Sequence, residues 1–182
     1  MAIELLEPAN AKAYRQLMLE AYALHPEAFV SSIAQREKLP LSWWEAKLDD
    51  ELSALFGAFV DSRLVGIVGL AFEPWEDARH KATLFGLYVS EAFRGQGLGE
   101  DLVQAVLSLA GQEPEIKVIE LSVSANSHAA LALYKRCGFE QSGLEDSAIR
   151  VGEAYYDRVH MRRPCPHPNP LPEGEGANSS CS

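Results

Sequence analysis

Arg94-Gly95-Gln96-Gly97-Leu98-Gly99 sets three glycines at alternate positions after an arginine, between the apolar run from Leu84 to Val89 and an amphipathic stretch. A strand that turns into a helix at this point presents the unpaired N–H donors and positive dipole end of a helix N-terminus. Such a terminus binds phosphate oxygens through backbone alone. Gly95, Gly97 and Gly99 let the backbone approach a diphosphate without interference from Cβ atoms, and Arg94 adds a fixed positive charge. The spacing separates the nucleotide-binding options. A Gly-x-Gly-x-x-Gly fingerprint needs glycine at position 100, where Glu100 stands, and no Gly-Lys-Ser/Thr loop is present. Glu100 and Asp101 suit the helix dipole but compete with an anion, so their side chains are expected to lie away from it.

The elements that position this turn follow from periodicity. Leu98, Leu102, Val103, Val106, Leu107 and Ala110 form one helical stripe ending near Gly111. Upstream, Ile3 to Leu6 reads as a short strand. Pro8 opens a helix carrying Ala11, Tyr14, Leu17, Met18 and Ala21, and a second helix follows Pro40 through Trp43, Trp44 and Leu48. The stretch between those helices has no clear period, and loops of that length are often functional. Ala54 to Val60 and Leu64 to Phe72 read as a hairpin turning at Asp61, Ser62 and Arg63. His80 to Val89 is the next strand, with Gly86 marking a bulge or a close backbone approach. Val118 to Val123 is a strand, and Ser127 to Arg136 is a helix closed by Gly138. Strand character returns at Phe139, broken by a loop around Glu145, and Tyr155 to Met161 is the last strand.

At 182 residues, 47% of them hydrophobic, the chain fits one soluble globular domain. Its longest apolar run, Leu64 to Phe72, is about half of what a membrane-spanning helix needs. The N-terminus lacks a secretory pattern, so a cytoplasmic location is expected. Cys137, Cys165 and Cys181 are odd in number and include no Cys-x-x-Cys pair, against a disulfide framework or a zinc site. A net charge of −10 disfavours nucleic acid and anionic membranes and tilts the expected partner toward an amine. The proline-rich composition from Pro164 onward separates a domain over 1–163 from a tail over 164–182 that should not join the core.

The turn after "LFGLYV" resembles the acetyl-CoA-binding motif of the GCN5-related N-acetyltransferase (GNAT) superfamily, Gln/Arg-x-x-Gly-x-Gly/Ala. "LSVSANSHAALALYKRCGF", with Ala130, Leu133, Tyr134, Gly138 and Phe139, is similar to that family's later block. The resemblance covers about Ile3 to Arg163 in order of elements. It implies an α/β (α+β) fold, a mixed, mostly antiparallel twisted sheet of six to seven strands flanked by about four helices. It further implies transfer of acetyl from acetyl-CoA to a primary amine by direct attack on the thioester, with a non-catalytic acyl-CoA sensor as the alternative.

By the same resemblance, Leu87, Tyr88 and Val89 hold the pantetheine arm as an added strand, an N–H near Leu87 faces the thioester oxygen, and residues 94 to 99 take the pyrophosphate. Asn126 or Ser127 either bonds the arm or caps its helix. Tyr134 both contacts the cofactor and serves as the general acid. Ser122 stands where relatives that acetylate protein N-termini carry a glutamate base. Glu120 shares its strand face, while Glu73, His80 and Glu37 are rivals, and the base stays unassigned. Phe29, Trp44, Tyr155 and Tyr156 are candidate acceptor-pocket aromatics, with core the preferred reading of Trp44. Lys135 and Arg136 are within reach of the 3′-phosphate. A homodimer through the last strand is compatible with the pattern, and the acceptor amine is not identified.

Overall fold

Two strands, β2 (Ser53–Val60) and β3 (Arg63–Phe72), pair antiparallel through a turn of Asp61 and Ser62, both at positive φ, 50° and 65°. Two central residues of that hand give a turn whose twist matches the strands it joins. The computed structural model describes residues 1–28 and 33–165. Strands β1 (Ala2–Leu5), β4 (Lys81–Val89), β5 (Val118–Ser124), β6 (Glu140–Val151) and β7 (Ala154–Pro164) complete a seven-stranded sheet of order β1-β2-β3-β4-β5-β7-β6. Every neighbouring pair is antiparallel except β4 with β5. The mixed, mostly antiparallel sheet is the fold expected from the sequence.

Helices α1 (Ala11–Leu24), α3 (Leu41–Leu48), α4 (Leu98–Gly111) and α5 (His128–Arg136) flank it, with a single turn α2 (Ile33–Arg36) between α1 and α3. One face of the sheet carries α4 and α5. There Leu98, Leu102, Val103, Val106, Leu107 and Ala110 pack with Val65, Val68, Leu70, Ala82, Leu84, Ile119 and Leu121. The opposite face carries α1 and α3, whose Tyr14, Leu17, Met18, Ala21, Trp44 and Leu48 pack on Leu55, Leu64, Ile67 and Tyr88. Trp44 is fully buried and meets Tyr14 edge-on with centroids 5.6 Å apart, so it is core and not a pocket wall.

Three expectations need correction. The segment around Glu145 is no loop between strands: β6 runs continuously from Glu140 to Val151, with a register irregularity between Glu145 and Ile149 where Ser147 takes φ 51°. At the other end, Pro164 closes β7 and Cys165 is buried, its N–H donating to Lys117 O at 2.9 Å. The sheet therefore includes Pro164, and Cys165 is buried directly beyond it, both of them residues assigned to the tail. Third, neither Asn126 nor Ser127 caps α5 by its side chain. Ser127 sits at the N-cap, its carbonyl accepting from Leu131 N at 3.0 Å and its N–H donating to Ser124 O at 3.0 Å, while Asn126 Oδ1 accepts from Ser124 Oγ.

Leu102 is fully buried between α4 and the sheet. Leu102→Ala is expected to cost about 2–5 kcal/mol of unfolding free energy, read from urea titration, with the denaturant slope unchanged.

Candidate active site

The parallel ladder between β4 and β5 is short. It pairs Lys81 with Val118, Ala82 with Ile119 and Thr83 with Glu120, and then the strands part. Leu84–Val89 on one side and Leu121–Ser124 on the other border the resulting fork without pairing to each other. On its far edge β4 stays bonded to β3, but the register jumps from Gly69 opposite Phe85 to Ile67 opposite Tyr88. Two residues, Gly86 and Leu87, thus oppose Val68 alone, and Gly86 takes φ 66°. This is a bulge at the position the strand glycine suggested, and it redirects the backbone at Leu87.

At the end of β4 the chain makes a 3-10 turn, Glu91–Phe93, and then the glycine turn. Gly95 and Gly97 take φ 79° and 81°, where a side chain is strained, and an added Cβ at either would meet nothing within 4 Å. Gly97 is the N-cap of α4, and Asp101 N is the first donor to close on it, reaching Gly97 O at 3.0 Å. The N–H groups of residues 95–100 have no acceptor among the described residues. They form a run of unpaired donors in the turn that follows β4 and opens α4. Gly99 is glycine for a different reason: a Cβ there would stand 3.2 Å from Leu133 Cδ2, so its absence brings α4 close to α5. Leu98 is buried and offers only backbone, while Gln96, Glu100 and Asp101 are exposed.

Arg94 is not left as a bare charge beside these donors. Its Nε donates to Val89 O at 2.9 Å, and its Nη2 lies 3.2 Å from His25 Nε2 at the end of α1. Its guanidinium carbon is 5.7 Å from the centre of the Tyr88 ring. Tyr88 in turn is buried, and its hydroxyl donates to Glu20 Oε2 at 2.8 Å, which also accepts from Ser90 Oγ at 2.7 Å. Burial and the Glu20 bond push the Tyr88 phenol up to about 12. A single carboxylate on α1 therefore ties down both residues that lead from β4 into the turn. Nothing in the sequence flagged Glu20, because a half-buried glutamate in a helix has no spacing signature.

A short parallel pairing thus parts near a helix whose N-cap is glycine. The model of the acetyltransferase (GNAT) family matches residues 13–139, more than half of the chain. The chain belongs to the acetyltransferase (GNAT) family. The acetyl donor of this family is acetyl-CoA. Streptothricin acetyltransferase of Escherichia coli is 33% identical over 96 residues, 53% of this chain and 52% of that protein, so the chain spans about half the length of that relative. N-alpha-acetyltransferase RimI of Mycobacterium tuberculosis is 32% identical over 129 residues, 66% of this chain and 75% of that protein. Among solved structures, a GNAT-family acetyltransferase from Streptococcus pneumoniae superposes with a TM-score of 0.80 at 21% identity, covering 90% of this chain and 98% of that one. The yncA putative acetyltransferase of Salmonella typhimurium, solved with acetyl-CoA, gives 0.74 at 17% identity, over 96% and 99%.

The remaining GNAT expectations fall at definite places. Tyr134 lies in α5, is buried, and packs edge-on against Phe139 with centroids 5.8 Å apart. Burial drives its phenol well above the usual 10, and the neighbouring Cys137 adds to this. Asn126 is exposed and Ser127 half-buried at the α5 end of β5. Among the acids, Glu120 is half-buried at the last rung before the fork, whereas His80 accepts from Lys117 N and Val118 N at the closed end of the β4–β5 ladder. Glu73 lies beyond β3 in a cleft with Arg79, Glu113 and Glu115. Glu37 is exposed near Arg15, which donates to its carbonyl. Tyr155 is 59% exposed on β7 with Arg150 over its ring, and Tyr156 is half-buried. Lys135 and Arg136 are exposed in the last turn of α5. Phe29 lies outside the described residues.

Glu20→Ala removes the acceptor shared by Tyr88 and Ser90. It is expected to lower stability by about 1–3 kcal/mol in urea unfolding and to weaken whatever binds the glycine turn, whereas Glu20→Gln keeps an acceptor and loses less.

Proposed function

We propose that the chain moves an acetyl group from acetyl-CoA to a primary amine. The observation that carries this reading is the run of unpaired N–H donors at residues 95–100 in the turn that follows β4, the strand that parts from β5. The donor supplies the acetyl group as a thioester. Residues 95–99 bind its pyrophosphate through backbone at the positive end of the α4 dipole, and Arg94, bonded to Val89 O and His25 but paired with no carboxylate among the described residues, adds its charge. Leu87, Tyr88 and Val89 offer the parted edge of β4 to the pantetheine arm. The bulge at Gly86 presents the Leu87 N–H to the thioester oxygen, where developing negative charge is stabilised. Asn126 and Ser127 stand at the opposite lip of the fork as hydrogen-bonding partners of the same arm.

Tyr134 supplies a proton to the departing sulfur. A phenol near 10 is uphill of a thiol near 8.5 by about 2 kcal/mol in water, and burial of Tyr134 widens that gap. Transfer therefore proceeds only if the site assists it, because a sulfur still bonded to carbon is less basic than a free thiolate. A raised pKa also keeps the Tyr134 hydroxyl protonated at every working pH. The attacking amine must lose its own proton, to a carboxylate or through water; Glu120, half-buried at the last rung before the fork, is one acid near that point, and the base stays unassigned. Among relatives, one is named for streptothricin and one for N-alpha acetylation, so relatives do not select the acceptor.

Two outcomes test this reading. Titration calorimetry should give micromolar acetyl-CoA binding that Gly97→Glu abolishes. Loss of binding without unfolding, checked by circular dichroism, supports the cradle, and unchanged binding sinks it. Tyr134→Phe should lower kcat at least about tenfold with little change in acetyl-CoA affinity. Since the phenol is raised, it adds no alkaline limb to kcat below about pH 10. A limb below about pH 9 that vanishes in Tyr134→Phe would contradict the assigned protonation state. A sensor without chemistry predicts binding but no CoA release with any amine.

A further inference from the structure

Leu121, Val159 and Met161 pack into the core under α4 and α5. Alternation therefore puts Glu120, Ser122 and Ser124 of β5, and Arg158, His160 and Arg162 of β7, on the opposite face. The register sets them side by side as Glu120 with Arg162, Ser122 with His160 and Ser124 with Arg158. On β6, Glu140 stands beside Arg162 and Glu145 beside Arg158. Arg162 is thus flanked by an acid on each side. Glu145, although opposite Arg158, turns to His160, with Oε1 3.2 Å from Nε2. Among the described residues no carboxylate forms an ion pair with Arg158, which is half-buried in a chain of net charge −10.

This row borders the fork. Beyond Glu120 the strands have parted, so Ser122 and Ser124 line the gap and Arg158 lies one strand behind it, about 5 Å away by ordinary strand spacing. Leu98, Leu133 and Tyr134 are buried in the core on the face that carries α4 and α5. An acceptor approaching from the opposite face meets the side on which Arg158 lies.

We infer, on the basis of the acetyltransferase reading above, that Arg158 binds a carboxylate held a few bonds from the acceptor amine, assisted by the exposed Ser122 hydroxyl. The acceptor class is then an amino carboxylate such as a free amino acid. Guanidinium matches carboxylate with two parallel charge-assisted bonds, which fixes the orientation of the amine as well as its affinity.

The test is CoA release by the full chain with acetyl-CoA and a panel of L-amino acids, each beside its carboxamide and its decarboxylated amine. At least one amino acid should exceed both of its counterparts in kcat/KM by about tenfold or more. Arg158→Gln should erase that advantage through KM, leaving carboxamide turnover and acetyl-CoA affinity unchanged, and Arg158→Lys should restore part of it. Equal use of amines and amino acids, or an equal loss for both in Arg158→Gln, overturns the carboxylate site and leaves the acetyltransferase reading standing. Turnover of none of the panel overturns the inference. If a peptide amine also releases no CoA, the acetyltransferase reading falls with it.

Discussion

The loss of pairing between β4 and β5 beyond Thr83 and Glu120 is the constraint on which the rest of the molecule depends. A strand edge inside a sheet carries unmet N–H and C=O groups, and an unmet buried group costs about as much as a lost hydrogen bond. Such a gap persists only if both bordering strands are held from elsewhere. β4 is held by β3 along its other edge and by the α4 core beneath it. β5 is held over its whole length by β7, from Val118 opposite Pro164 to Ser124 opposite Arg158. The two halves of the sheet are each complete without the other past the third rung, and the edges between them remain available to an extended ligand.

The same constraint explains why the alternate glycines of the turn are not equivalent. Gly95 and Gly97 are fixed by backbone hand, since both lie at positive φ with empty space where a side chain would be. Gly99 lies inside α4 and is fixed by the close approach of Leu133 from α5. That approach brings the first turn of α4 against the helix that carries Tyr134. Arg94 and the Glu20 network complete the arrangement from the other face, tying the end of β4 to α1. The donor row is thus positioned by packing on one side and by charge-assisted bonds on the other.

What was legible in the sequence follows from period and contrast. The buried stripe of α4, the buried face of α1 and the β2–β3 hairpin were all readable, because each buries one face and exposes the other. The bulge at Gly86 was legible because a glycine within a β-rich run has few other reasons to be there. β6 was misread at Glu145 because an edge strand exposed on both faces has no alternation to follow, and its polar residues look like a loop. The Arg94–His25 and Glu20–Tyr88 contacts were invisible for another reason. They join residues 69 and 68 positions apart through side chains whose types fit an ordinary surface equally well.

Net charge was a still weaker guide to the site. A formal −10 suggests that anions are repelled, but screening confines that average to roughly 10 Å or less at physiological salt. What a ligand meets at contact is the local arrangement, and here the register decides it. Placing Glu145 beside His160 and Arg158 together leaves one acid for two bases, and its carboxylate is on the imidazole. The half-buried Arg158 guanidinium next to the fork is left without a carboxylate partner among the described residues. Acid elsewhere on the surface does not reach it, whereas a shift of β6 against β7 by one residue would turn Glu145 to the other face and remove the imbalance. If Arg158 binds the acceptor as proposed, selectivity is a property of strand register, set several residues away from the atoms that react.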